Sequence, residues 1–234
     1  MTAKLYIDGR EICASEGDVL IDVAADYGIH IPSLCYMRGR PCLGTCRVCS
    51  VVVNGSIMPA CTARIADGMV VEVAQPEVAD MRRALVEANF SEGNHNCPSC
   101  EKSGRCELQA VAYEVEMVVS RFPYRFAERE RDQTARHIFL ERDRCIFCQR
   151  CVEFIRDIDT GHKIFAIHGR GTHARIDIDV VLADRMPPEQ VREAADICPV
   201  GCIIEKGRGY NDPIGKRKFE TRSIRDRVLE GDKK

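Results

Sequence analysis

Three cysteines at C-x2-C-x2-C spacing constrain this chain more than any other feature: Cys145, Cys148 and Cys151, within Arg-Cys-Ile-Phe-Cys-Gln-Arg-Cys at 144–151. A lone Cys198-Pro199 follows far downstream. Three thiolates two residues apart, closed by a remote Cys-Pro, are how proteins hold one cubane four-iron cluster. Where two such clusters are held in tandem, a fourth cysteine comes four residues after the third and serves the second cluster. That position here is Ile155, so the run predicts a single cubane. Two further cysteine groups lie upstream, which makes the chain a candidate carrier of several clusters.

The 234 residues contain 14 cysteines and no tryptophan. No long apolar run opens the sequence, so neither a signal peptide nor a spanning helix is predicted. A reducing, cytoplasmic compartment is expected, where clustered cysteines bind metal and a disulfide framework is disfavoured. A net charge of −2 supplies no global field toward nucleic acid or a membrane surface.

Along the chain, residues 4–8 and 10–13 alternate polar and apolar around Gly9, predicting a β-hairpin. Asp18 is placed to cap a helix carrying Val19, Leu20, Val23, Ala24 and Tyr27 on one face, with Gly28 as its stop. Val51–Val53 and Met69–Val73 read as short strands beside Asn54-Gly55 and Asp67-Gly68 turns. Together they predict a β-grasp α+β unit over residues 1–75. Within it, Cys35, Cys46, Cys49 and Cys61 stand at C-x10-C-x2-C-x11-C, a lengthened relative of the plant-type two-iron pattern. Gly39, Gly44 and Thr45 would let backbone amides approach the sulfides. A four-cysteine zinc site is the alternative. Cys42 could compete as a ligand, though it reads better as loop packing.

Residues 76–120 form a helical segment. Val78, Met81, Leu85 and Ala88 recur at helical spacing, with Gly93 as the end. Cys97, Cys100 and Cys106 follow, and His95 is the imidazole close enough to complete that triplet as a fourth ligand. A neutral imidazole in place of a thiolate removes one negative charge and should raise the cluster's potential. Leu108, Val111, Ala112, Val115 and Val119 should then face inward from a second helix. A charged connector, 121–136, interleaves Arg121, Arg125, Arg129 and Arg131 with Phe122, Tyr124 and Phe126; Glu128, Glu130 and Asp132 cancel most of that charge, against a nucleic-acid surface.

The third unit, 121–205, is a small α+β four-iron domain: a strand at 137–141 and a helix placing Cys148, Cys151, Val152, Ile155 and Ile158 on one buried face. A hairpin around Gly169-Arg170-Gly171 follows, then a helix opened by Pro187-Pro188 that presents Cys198. Cys202 is a spare ligand or packing, and Cys13 sits in a strand. The basic tail, 206–234, with Tyr210 and Pro213 beside Asp212, is either solvated or folded onto a partner. No G-x-G-x-x-G after a strand, P-loop or H-E-x-x-H is present, so the chain reads as an electron conductor without its own substrate site.

The three cysteine groups, in this order, resemble the N-terminal iron–sulfur region of the large complex I subunit. More closely, Glu92-Gly93-Asn94-His95-Asn96-Cys97-Pro98-Ser99-Cys100, the 144–151 run and Asp212-Pro213-Ile214-Gly215 resemble the diaphorase gamma subunits of bidirectional NAD-reducing nickel–iron hydrogenases. The resemblance implies a two-iron cluster on Cys35, Cys46, Cys49 and Cys61, a four-iron cluster on His95, Cys97, Cys100 and Cys106, and a second four-iron cluster on Cys145, Cys148, Cys151 and Cys198. It implies an electron-transfer subunit of an oxidoreductase. One partner would carry FMN and bind NAD; hydrogenase small and large subunits would carry the nickel–iron site. Alternatives are a complex I-like dehydrogenase or iron-only hydrogenase complex, or a zinc-bound structural adaptor.

Overall fold

The computed structural model describes residues 1–125, 128–209 and 212–231. Phe126 and Tyr210, named above, lie outside these. The chain divides into two compact units, one of residues 1–88, 110–121 and 222 onward, the other of 89–109 and 122–221.

In the first unit, β1 (Thr2–Ile7) pairs antiparallel with β2 (Arg10–Ser15), Leu5 opposite Ile12. The predicted hairpin forms, but Asp8, expected at the end of the first strand, joins Gly9 in a two-residue turn, with φ of 47° and 78°. Alternation buries Ala3, Leu5, Ile7 and Ile12. Helix α1 (Leu20–Asp26) follows, capped by Val19 rather than the expected Asp18, without a side-chain cap. The orphan donors are taken by backbone instead. Leu20 N–H donates to Ala63 O (3.0 Å) and Ile21 N–H to Ala60 O (3.3 Å), while Asp18 O accepts from Ile65 N–H (2.9 Å). The helix start is therefore fastened to the segment that follows Pro59 and carries Cys61.

Strands β3 (Ser50–Val53), β4 (Ser56–Pro59) and β5 (Val70–Glu72) complete a sheet of order β2-β1-β5-β3-β4, with β1 and β5 parallel. Strand β4 was not anticipated, since Ser-Ile-Met-Pro lacks alternation and ends in proline; it lies at the sheet edge, where proline is tolerated. Helix α2 (Pro76–Glu92) is in the expected place but differently turned. Of the apolar row Val78, Met81, Leu85 and Ala88, Val78 alone is buried and Ala88 is exposed, while Arg82, Val86 and Glu87 are buried. Helix α3 (Glu107–Glu114) buries Leu108, Val111 and Ala112 as expected. It stops early: Glu116 adopts φ 54°, and Met117 N–H returns to Ala112 O (2.9 Å), closing the end in the Schellman manner. Val118 and Val119 consequently point to solvent, not inward.

The second unit has smaller sheets. Strand β6 (Ile138–Leu140) leads to the central cysteine loop and α4 (Arg150–Phe154), followed by the hairpin β7 (Phe165–His168) and β8 (Arg175–Ile178). After α5 (Val180–Ala183) and α6 (Pro188–Ile197), β9 (Ile203–Glu205) returns to pair antiparallel with β6. Cys148 and Cys151 do not share a helix face as expected. Phe147 (φ 51°) and Gln149 (φ 64°) are left-handed, so α4 begins only at Arg150 and Cys148 sits in the loop; Ile158 is exposed. In the tail, Lys206 Nζ donates to Gln133 O (2.6 Å) and Ala135 O (2.7 Å), and Phe219 N–H, in α7 (Lys218–Thr221), donates to Gly104 O (2.8 Å). Helix α8 (Ile224–Glu230), capped by Ser223, buries Ile224 in the first unit, where it packs against α1.

Candidate metal centres

Cys35, Cys46 and Cys49 come from the loop between α1 and β3, and Cys61 from the turn after β4. Their thiols meet. Cys49 and Cys61 Sγ are 3.3 Å apart, and Cys35 hydrogen-bonds Cys46 and Cys61. Cys35, Cys49 and Cys61 are almost fully buried. Gly39 (φ 78°), Gly44 (φ 63°) and Arg47 (φ 60°) turn the loop inward, and Leu34 N–H donates to Cys46 Sγ (3.4 Å). A Cβ on Gly44 would sit 3.1 Å from Thr62 Cγ2, so the loop closes against the Cys61 turn with little room to spare. Tyr36 Oη–H donates to Asp22 Oδ2 (2.6 Å), pinning the loop to α1; burial and that carboxylate push the tyrosine pKa up. Protons are shared unequally among the four thiols. Hydrogen bonds from neighbouring thiols pull Cys35 and Cys49 down and leave Cys46 and Cys61 pushed up. Four sulfurs that crowd and compete for protons in an apolar pocket are suited to a cationic metal core. Half-buried Cys42 lies beside Cys61.

His95, Cys97, Cys100 and Cys106 line one small cavity, together with Phe90 and Gly201 among others. Burial pushes the Cys106 thiol up to about 12 and raises Cys97 also. Burial, reinforced by Arg144, holds the His95 imidazole down to about 4, so it is neutral at pH 7 and has a lone pair to give. Its Nε2 is buried with no hydrogen-bond partner. An orphaned imidazole nitrogen in a cavity shared with three thiols fits a metal cluster, and its cost elsewhere in a protein would be about 1–3 kcal/mol. Two glycines make the room. A Cβ on Gly93 would lie 2.5 Å from His95 Nε2, and one on Gly201 2.8 Å from Cys100 Sγ.

Cys145, Cys148 and Cys151 come from the loop and first turn of α4, and Cys198 is the C-cap of α6. Burial first, then the neighbouring sulfurs, raises Cys148 and Cys151; burial raises Cys198. Cys145 is lowered, foremost because the Cys202 thiol hydrogen-bonds it, and it accepts Phe147 N–H at 3.4 Å. The fully buried Cys202 thus stands directly against the group, nearer than its spacing alone implied. Two ion pairs brace this unit: Arg144–Glu101 (2.8 Å) and Arg150–Glu107 (2.7 Å). Glu107 N–H also donates to Pro199 O (2.8 Å), tying the start of α3 to the Cys198 loop. The structure therefore gathers the sequence-predicted residues into three separate groups. Sequence reasoning did not single out Arg82, which α2 buries one helical turn from Val78 and one from Val86.

A β-grasp sheet with four gathered thiols, followed by two cysteine-rich groups in a small α+β unit, defines an iron–sulfur protein of ferredoxin-like domains. Three family profiles match in succession: a 2Fe-2S iron–sulfur cluster binding domain over residues 2–76, the NADH-ubiquinone oxidoreductase-G iron–sulfur binding region over 82–121, and the NADH-quinone oxidoreductase subunit 3 ferredoxin-like domain over 135–204. The chain is 62% identical, over the full length of both, to the gamma subunit of the NAD-reducing hydrogenase HoxS of Cupriavidus necator. It belongs to that family. It is also 32% identical to the G-type subunit of NADH-quinone oxidoreductase from Rickettsia felis, matching 94% of this chain but only 32% of that protein's length. Among solved structures, a chain of an NAD+-reducing [NiFe]-hydrogenase in the H2-reduced state superimposes with a TM-score of 0.86 at 34% identity, covering 95% of each chain. No helix among the described residues is long and apolar enough to cross a membrane.

Proposed function

We propose that this chain is the electron-conducting subunit of an NAD-reducing hydrogenase, an oxidoreductase coupling H2 oxidation to NAD+ reduction. In this reading a two-iron cluster is held by Cys35, Cys46, Cys49 and Cys61. One four-iron cluster is held by His95, Cys97, Cys100 and Cys106, and a second by Cys145, Cys148, Cys151 and Cys198. Bound there, the clusters would accept and release electrons one at a time. The chain's own residues bury the thiols, aim amide N–H groups at sulfur (Leu34 to Cys46, Gln109 to Cys106, Phe147 to Cys145) and hold the His95 ring neutral. Such amides favour added negative charge and so set how readily each site is reduced. NAD(H) and FMN belong to a diaphorase partner and the nickel–iron site to hydrogenase partners, in the cytoplasm. The observation that carries the reading is the 62% identity to a HoxS gamma chain across the entire sequence.

Anaerobic purification of the tagged chain with its natural partners tests it. Mass identification should find a flavin subunit and nickel–iron subunits. Reduction with NADH or with H2 should elicit one two-iron and two four-iron paramagnetic signals. A colourless, iron-free chain, or partners lacking flavin and nickel, would sink the proposal.

A further inference from the structure

Arg82 is the buried cation among the described residues of the first unit, 8% exposed, on the inward row of α2 between Val78 and Val86. Its Nη1 donates to Val73 O (3.1 Å) and its Nη2 to Ser50 O (2.8 Å), whereas Nε has no partner. Among the described residues no carboxylate closes an ion pair with it, unlike Arg144 with Glu101 and Arg150 with Glu107 in the other unit. Burying a guanidinium with only neutral acceptors is costly, and such a charge draws compensating negative charge toward it. The accepting carbonyl of Ser50 belongs to the residue directly after Cys49. The anionic groups facing the guanidinium are Cys49, foremost, then Glu114 and Asp8. Neither carboxylate forms an ion pair with it: Glu114 Oε1 is turned to His30 Nδ1 (2.6 Å) and Asp8 Oδ1 accepts Val73 N–H (2.7 Å), so both act on the guanidinium from a distance, after Cys49.

We infer that Arg82 is a positioning residue of the two-iron site, its unpaired buried charge stabilising the site's reduced, more negative form and raising its potential. The inference rests on the proposed role of Cys35, Cys46, Cys49 and Cys61. The field of one buried charge falls slowly where little water screens it, so the effect reaches sulfur without contact. The two carbonyl bonds have a second consequence, fastening α2 to β3 and to the end of β5. A merely structural role would stop there and leave the potential alone.

Redox titration of the two-iron paramagnetic signal, in the assembled complex, separates the roles. Arg82→Met, which fills the space without the charge, should lower the midpoint by about tenfold in the reduction equilibrium, ~59 mV for one electron. Arg82→Gln should act likewise, and Arg82→Lys should stay within about threefold of the parent, the four-iron midpoints remaining in place throughout. An unmoved midpoint in a neutral variant overturns the inference, as does a lysine variant displaced as far as the neutral ones. Should neither neutral variant assemble, the lysine variant still tests the inference: a tenfold fall in its midpoint overturns it. If the parent itself shows no two-iron signal, the cluster assignment fails instead.

Discussion

At Gly93 the missing side chain is as much a part of the site as the imidazole it faces. A methyl group there would lie 2.5 Å from His95 Nε2 and 2.8 Å from Asp143 O, and backbone cannot yield as a flexible side chain can. Gly93→Ala should therefore displace the ring and reproduce His95→Ala: one four-iron signal altered or lost, the two-iron signal and the other four-iron signal intact. Overpacking of this kind costs about 1–3 kcal/mol, so the chain should still fold and the spectrum can be read. An unchanged spectrum in both variants would remove His95 from the ligand set. Gly201 makes the same argument from the opposite wall, where Cys100 Sγ is the obstructed atom.

Among the elements, the segment 142–144 delivers Cys145 and is held by one side chain. Arg142, 5% exposed, donates from Nε to Ile176 O in β8 (2.8 Å) and from Nη1 to Glu130 O (2.9 Å), and pairs with Asp132 and Asp177 (2.7 Å each). It ties the connector, the cysteine loop and the β7–β8 hairpin together. Arg142→Ala leaves two carboxylates facing each other and two carbonyls unmet, a loss on the order of 3 kcal/mol. The measurement is chemical denaturation of the assembled protein, and a midpoint within error of the parent would refute it. Arg142 also marks the limit of what the sequence discloses. The cysteine groups, the β1–β2 hairpin and α6 ending at Cys198 were legible because spacing and turn residues are local signals. The α1 cap, β4, the turn of α2 and the loop position of Cys148 were not. Backbone partners remote in sequence decide two of these: Ala60 and Ala63 for the start of α1, Ser50 and Val73 for Arg82 on α2. Apolar periodicity cannot register an arginine whose acceptors are carbonyls in other elements.

For the whole molecule, the two units depend on metal to different degrees. The first has a five-stranded sheet under α1 and a continuous apolar cluster including Leu5, Ile7, Leu20, Val51 and Val71, in which Cys49 and Cys61 are themselves packed. Fully burying one such large aliphatic contributes about 1.5–3 kcal/mol, so this unit has a core that outlasts its cysteine site. Among its described residues, the second unit has two sheets of two strands each, none longer than four residues, and two-stranded pairs are marginal in water. There the cysteine groups join the start of α3, α4, α6 and the loops, and a bound cluster acts as a cross-link whose binding energy is folding energy. Removing iron with a chelator under reducing conditions should therefore collapse hydrogen-exchange protection in β6, β7, β8 and β9 while leaving β1, β2 and β3 measurably protected. Exchange read by mass spectrometry on peptides from these strands would decide it. Uniform loss across both units, or earlier loss in β1–β3, would mean that the β-grasp sheet is as metal-dependent as the rest.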